Sequence, residues 1–272
     1  MMSMQPRITV IMPSFQQGPY LRAALRSVIG QNYPNLELLV YDAGSTDGSV
    51  DIIKHHAAHI TWWQSQPDGG QVAAINQGLL RATGDVVGWL NSDDVLLTDA
   101  LRKIGSVFAD DHVQAVCGWN ISFTQNPWSV VDQRVYPQPT ADVLRHRPLL
   151  PQETVYWRNS VTDRVGKLDD NFKVRFDTDY WVRMVEAGVV PRLIPQFLSG
   201  FRQQPQQKTV TLAAHTDDEL VRIFSRLHGK PIEPKKLKKQ VPLGWRLRYR
   251  ILQKRLYLGL IALPAEDDIS SA

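Results

Sequence analysis

The chain has 272 residues, 43% of them hydrophobic, and a net charge of +4. That composition supports one large or two small globular domains, and no run approaches the roughly 20 apolar residues that would span a bilayer. The charge is uneven: between Lys230 and Arg255 ten basic residues stand against Glu233 alone, so this segment carries +9 and the remainder −5, which argues against a basic globular surface for nucleic acid.

The single Cys117 excludes an internal disulfide and fits a reducing compartment. The start, MMSMQPRITV, enters a strand pattern without the charged and apolar regions of a secretory signal, so a cytoplasmic location is expected.

Ile8 to Met12 reads as a first strand, stopped by Pro13 and followed by the loop PSFQQGP. Tyr20, Leu21, Ala24, Leu25, Val28 and Ile29 then recur at helical spacing up to Gly30. A second strand, Leu36 to Tyr41, delivers Asp42 into DAGSTDGS, whose glycines and hydroxyls suit a tight turn at a helix start. The pattern continues with a helix over 49–58, a strand over 60–64, the turn QPDGG and a helix from Gln71 to Arg81. A buried strand, 86–90, follows and ends abruptly in Asn91, Ser92, Asp93 and Asp94.

This alternation predicts an α/β fold with a mostly parallel, doubly wound sheet and sites at the carboxyl ends of its strands. Adjacent carboxylates at such an end repel unless a cation lies beside them, and a hard divalent ion with oxygen ligands is the usual solution. The same residues also suit an Asp-rich turn capping a helix near Thr98. Beyond a helix at 98–109 and a strand at 114–117, residues 118–150 are rich in Pro, Trp and Gln without helical periodicity. They read as an irregular, acceptor-side insertion. From Asp177 the chain looks helical, with Tyr180 and Met184 turned inward and Gly188 closing it. Asp177 at that helix start has two readings, a catalytic carboxylate or an N-cap.

Three spaced stretches then carry a resemblance: ITVIMPSFQQGPYLRAALRSVIGQNYPNLELLVYDAGSTDGS, PDGGQVAAINQGLLRATGDVVGWLNSDD and GKLDDNFKVRFDTDYW. Over residues 7–205 the chain resembles the family 2 glycosyltransferases, GT-A enzymes of the inverting type that transfer sugar from a nucleotide-sugar donor. The resemblance implies that Pro13, Ser14 and Phe15 hold the nucleobase, that Asp42 bonds base or ribose, and that Gln71 lies near the nucleotide. It implies that Asp93 ligates Mg²⁺ or Mn²⁺ on the donor diphosphate, with Asn91 and Ser92 in hydrogen-bonding roles, and that Asp177 is the general base. Two positions depart from the family: Asn91 where its DxD begins with Asp, and Phe176 where Glu often precedes the base. Asp179 is a secondary base candidate, Arg202 and Lys208 are candidate phosphate-facing cations, and Gln152, Glu153 and Trp157 either line the acceptor site or serve the core.

The division expected is a nucleotide-sugar half over 1–110, an acceptor and catalytic-base half over 111–210, and a helical extension over 211–272. In that extension Trp245, Tyr249, Leu252, Leu256, Leu260 and Leu263 form one stripe flanked by cations. Such a stripe either lies in an anionic membrane interface or packs on the domain. With no QxxRW motif and no spans, a single-transfer enzyme acting on a glycan or lipid-linked glycan, in polysaccharide or cell-envelope synthesis, is favoured over a processive synthase, with UDP- or dTDP-type donors preferred. The alternative is a catalytically decayed nucleotide-sugar-binding protein. A nucleotidyltransferase ranks lower, because PSFQQGPY has no cation for a triphosphate before Arg22.

Overall fold

The structure, a computed structural model, describes residues 5–125, 128–147, 150–232 and 241–264. Strand β1 (Ile8–Ser14) is buried along its whole length and sits between β2 (Leu36–Asp42) and β4 (Val86–Trp89), with β3 (Trp62–Ser65) beyond β2. All three of these pairings are parallel. Near-continuous apolar runs such as ITVIM belong to strands covered on both faces. Val10 and Met12 join one core, under α1 (Gly18–Ile29), α2 (Ser49–His56) and α4 (Ala100–Val107). Ile11, between them, joins the other core under α3 (Gln71–Arg81), as the alternation of a strand requires.

The chain leaves β1 for β2 on one side and returns to β4 on the other. The carboxyl ends of β1 and β4 therefore frame a topological switch point, where open α/β sheets bind ligands. Beyond β4 the sheet becomes mixed. The short β8 (Tyr156–Arg158) runs antiparallel to β4 and β6, and β9 (Arg192–Arg202) runs parallel to β6 (Ala115–Gln125) and antiparallel to the two-residue β5 (Val95–Leu96). Because β8 is reversed, the residues entering it arrive at the same sheet edge that β4 leaves.

Residues 118–150 depart from the irregular insertion expected. Strand β6 continues to 125 and pairs with β7 (Trp128–Arg134), and α5 (Ala141–His146) follows with the Thr140 hydroxyl accepting from Val143 N–H at 3.2 Å. Trp119, Ile121 and Phe123 alternate into the core, but Asn120 and Ser122 between them are buried too, so the segment lacks the polar outer face that marks a strand.

After α6 (Asn159–Val165), helix α7 (Phe176–Glu186) packs into the sheet through an aromatic cluster. Trp181 stacks on Trp89 at 5.4 Å and 16°, and Trp157 meets both edge-on. Each such pair adds about 0.5–1.5 kcal/mol beyond burial. Trp157 is therefore a fully buried core residue.

Helix α8 (Lys208–Thr211) leads into the extension, which contains α9 (Ala213–His228) and α10 (Leu243–Tyr257). Trp245, Tyr249, Leu252 and Leu256 pack against the main core, and the Trp245 indole donates to the Gln138 carbonyl at 3.3 Å. Of the two placements open to this stripe, the structure has it packed on the domain along the helix, leaving only Leu260 and Leu263 of that set exposed. Lys235, Lys236, Lys238 and Lys239 of the basic run lie outside the described residues. No helix among the described residues is long and apolar enough to cross a membrane.

Candidate active site

At the switch point lies a cavity of about 620 Å³. One wall is the end of β1, with Pro13 and Ser14, and Phe15 just beyond it. Gln16 takes a left-handed φ of 54° there, its N–H donating to Ser45 Oγ at 2.8 Å, and Phe15 is left 56% exposed at the rim. Among the described residues the buried Ser14 hydroxyl has no hydrogen-bond partner. Asp68, Gly69 and Gly70 continue this side. Gly70, at φ 106° and ψ 177°, holds a conformation essentially reserved for glycine, which turns the chain into α3 with Gln71 at its first position.

The floor is the segment leaving β4. An amide relay crosses it: Gln71 Nε2 donates to Asn91 Oδ1 at 2.7 Å, Asn91 Nδ2 to Gln152 Oε1 at 3.1 Å, and Gln152 Nε2 to the Trp89 carbonyl at 2.7 Å. Beside it lie Ser92, Asp93, Asp94 and Glu153. Gln204 Nε2 donates to Asp93 Oδ2 at 3.1 Å, while Arg202 donates its Nε to the Asp93 carbonyl and its backbone N–H to Asp94 Oδ1. Burial raises Asp93 above the usual carboxylate range. Burial raises Asp94 well above it, with the neighbouring Asp93 and Glu153 charges adding to the effect. Glu153 is likewise raised by burial.

Three desolvated carboxylates at one ligand-sized opening form a hard, oxygen-rich donor set that a divalent cation would relieve. Among the described residues no group of three His, Cys, Asp or Glu side chains is disposed to cage a metal alone. A hard cation shared between one or two carboxylates and a substrate's phosphates needs no such cage, so these residues fit one.

The start of α7 also lines the cavity. Asp177 is the second residue of this helix rather than its cap; its Oδ1 accepts from the Thr178 N–H at 2.6 Å. Burial raises its carboxyl, against the opposing pull of that N–H and of Arg175. The preceding backbone is gripped from α9: the Glu219 carboxylate accepts from the N–H groups of Lys173, Val174 and Arg175 at 2.6, 3.0 and 2.7 Å. Lys208 lies at the mouth with its ammonium lowered, by burial first and by Lys173 second.

The cavity thus gathers Pro13, Ser14, Phe15, Gln71, Asn91, Ser92, Asp93 and Asp177, with Gln152, Glu153 and Lys208. Asp42 is not brought to its lining. Fully buried, it is spent on its own turn, accepting from Ser45 N–H and Oγ, Gly44 N–H and Ser65 Oγ at 2.6–3.1 Å. Asp179 is also withdrawn, held beneath the helix between Arg183 at 2.8 Å and Arg226 at 2.7 Å, and Arg202 is buried behind the carboxylates with its guanidinium over Phe123. Sequence reasoning passed over Asp68, Gln204 and Glu219. Asp68 looked like turn composition, and only its position ahead of Gly69–Gly70 hinted at a cavity wall.

A parallel βαβ half whose switch point opens on an acidic strand end, completed by a mixed half that carries a facing carboxylate, defines a GT-A nucleotide-sugar fold. The comparisons agree. The model of "Glycosyl transferase family 2" matches residues 9–170, and the chain belongs to that family. An uncharacterized glycosyltransferase of Haemophilus influenzae is 34% identical over 40% of this chain and 44% of its own length. One of Mycobacterium tuberculosis is 28% identical over 67% and 70%. Bacillus subtilis TuaG, a putative teichuronic acid biosynthesis glycosyltransferase, is 32% identical over 38% and 42%. The chain therefore spans less than half the length of two of these relatives. Among solved structures, S. aureus TarS 1-349 in complex with UDP-GlcNAc superimposes with a TM-score of 0.67 at 16% identity, covering 96% of this chain and 77% of that one. The mannosyltransferase PcManGT from Pyrobaculum calidifontis, in complex with GDP-Man and Mn²⁺, gives 0.64 at 18% identity over 97% and 77%. At these identities the likeness is one of fold.

Proposed function

We propose that the chain transfers a single sugar from a nucleoside-diphosphate donor, of UDP or dTDP type, to a glycan or lipid-linked glycan, with inversion at the anomeric carbon. The observation that carries this reading is the one lining that Asp93 and Asp177 share, in a ligand-sized cavity that also takes in Pro13, Ser14 and Phe15. The UDP-GlcNAc bound to TarS supports the donor class, and the role named for TuaG supports an envelope-polysaccharide acceptor.

In this reading residues 1–110 hold the donor. Phe15 stacks on the base, Ser14 offers its unpartnered hydroxyl, and Asp68 takes the polar contact to base or ribose that Asp42, buried in its turn, cannot make. Asp93 would hold a Mg²⁺ or Mn²⁺ ion together with the donor diphosphate, and that ion supplies charge neutralisation for the leaving group. Lys208 faces the same phosphates. Residues 111–210 receive the acceptor. Asp177 takes the proton of the attacking hydroxyl as the bond from anomeric carbon to diphosphate oxygen breaks, that oxygen keeping the electron pair. Desolvation raises the Asp177 carboxyl, making it a stronger base than a solvated carboxylate.

The test is a thermal-shift panel of UDP, dTDP, GDP and CMP with and without Mn²⁺, on wild type, Asp93→Ala and Asp177→Asn, joined to a transfer assay. A shift that needs both one nucleoside diphosphate and Mn²⁺, lost in Asp93→Ala, is expected. Asp177→Asn is expected to keep the shift and lose about 10²–10⁴-fold in turnover. Near-normal turnover in Asp177→Asn would dismiss it as the base. A nucleotide shift without any transfer by wild type would favour a decayed binding protein, the reading that Asn91 and Phe176 suggest.

A further inference from the structure

Helix α10 carries two apolar faces, and the domain covers one of them. On the side turned away from Trp245, Tyr249, Leu252 and Leu256, residues Leu243, Leu247 and Ile251 recur every fourth position and are 68%, 49% and 60% exposed. Leu258 continues this outer row just past the helix end, at 55%, with Tyr257 beside it at 89%. Arg246, Arg248, Arg250, Lys254 and Arg255 are all exposed around the row, and the helix holds no acidic residue. Among the described residues none of these five cations has an acidic partner.

A helix that only braces a domain needs one apolar stripe and is polar elsewhere. A second stripe, ringed by cations whose stems can lie along an apolar boundary while their heads reach anions, is the pattern of a helix lying in a lipid interface. We propose that this outer face of α10 docks on an anionic lipid surface. Leu243, Leu247 and Ile251 enter the boundary between headgroups and acyl chains, and the flanking cations meet lipid phosphates. Charge selects this occupant over a second copy of the chain, because two such faces pressed together would oppose five cations to five. The inference stands apart from the sugar-transfer reading, since its readout is vesicle binding and not catalysis.

The experiment sediments the full chain with phosphatidylcholine vesicles that contain or lack phosphatidylglycerol. Wild type is expected to bind only the anionic vesicles, and less in high salt. Arg248→Gln with Arg255→Gln should weaken partition roughly 25-fold, from about fivefold for each basic residue near an anionic surface. Leu247→Ser with Ile251→Ser should also release the protein, both double variants keeping the wild-type melting temperature because the altered side chains face solvent. Wild-type failure to bind anionic vesicles, or equal binding by both variants, would overturn the proposal. So would a dimer in analytical ultracentrifugation that Leu247→Ser with Ile251→Ser dissolves, which would give the face to a second copy.

Discussion

Replacing Glu219 with Gln tests whether α9 holds the wall of the cavity that carries Asp177. One carboxylate oxygen of Glu219 accepts from Lys173 N–H at 2.6 Å and the other from Val174 and Arg175 N–H at 3.0 and 2.7 Å, in a place where Glu219 itself is 4% exposed. A glutamine has one acceptor oxygen. Whichever way its amide turns, its NH₂ group faces at least one of these donors, so at least one bond to a charged acceptor is lost and one part-buried N–H is left opposed by another. Bonds to charged groups are worth about 1.5–3 kcal/mol, and an unsatisfied buried donor costs about 1–3 kcal/mol, so the net loss is about 2–4 kcal/mol. At roughly 2–4 °C per kcal/mol for a chain of this size, the melting temperature falls by about 5–15 °C. The assay pairs a circular-dichroism melt with turnover and with stabilisation by nucleotide. Turnover should fall more than the nucleotide-induced shift, because the Pro13–Phe15 wall makes none of the altered contacts. An unchanged melting temperature together with unchanged turnover would refute the reasoning.

Two further predictions probe the scaffold. Glu37 is buried, and burial by itself would raise its carboxyl. The hydroxyls of Thr83 and Thr9 at 2.6 Å, the Thr83 N–H at 2.8 Å and Arg7 at 3.0 Å outweigh that and lower it. A lowered folded value gives stability that is present above the ordinary glutamate range, near 4.5, and lost as pH falls through the folded value. Melting curves on acidification below that range should therefore decline more steeply for wild type than for Glu37→Gln, which starts less stable at neutral pH; parallel profiles would count against the linkage. Gly88→Ala should destabilise by about 1–3 kcal/mol, because the added Cβ would lie 2.6 Å from the fully buried Tyr156 ring, and a denaturant midpoint equal to wild type would show that the ring yields.

What could be read from the sequence was what short-range periodicity encodes. The helix expected from Gln71 to Arg81 has those ends in the structure, since its apolar spacing, the Gly-Gly before it and the Thr83-Gly84 break after it all agree. The continuation of β6 beyond Cys117 was missed because Asn120 and Ser122 are buried on the face where alternation calls for solvated residues; Asn120 hydrogen-bonds Glu153 there. The placement of the tail stayed open for a different reason. Its helix has apolar residues on two opposite sides, and a sequence does not say which side meets the domain. Glu219 had no signal at all: in AAHTDDELVRIFSRLH it looks like any solvated acid, and its partners are backbone N–H groups, which no residue type announces.

The departure at Phe176 acquires a physical reading from its surroundings. Where the resemblance leads one to expect an acid, Phe176 is 6% exposed with its ring 6.3 Å from Trp89. Trp89 lies two residues before Asn91, and Trp181, four residues after Asp177, stacks on it. Phe176, Trp89 and Trp181 thus tie β4, whose exit leads to Asp93, to the helix that begins beside Asp177, and both carboxylates line the one cavity. The start of α7 is held by aromatic packing on β4 and by the grip of Glu219 on the backbone before it. A second carboxylate at 176 would have to be desolvated against Trp89, close to Asp177, with each raising the other. The phenylalanine removes that repulsion and leaves Asp177 the one acid at the start of this helix with access to the cavity, an arrangement consistent with a working base as much as with decay, which the turnover of Asp177→Asn decides.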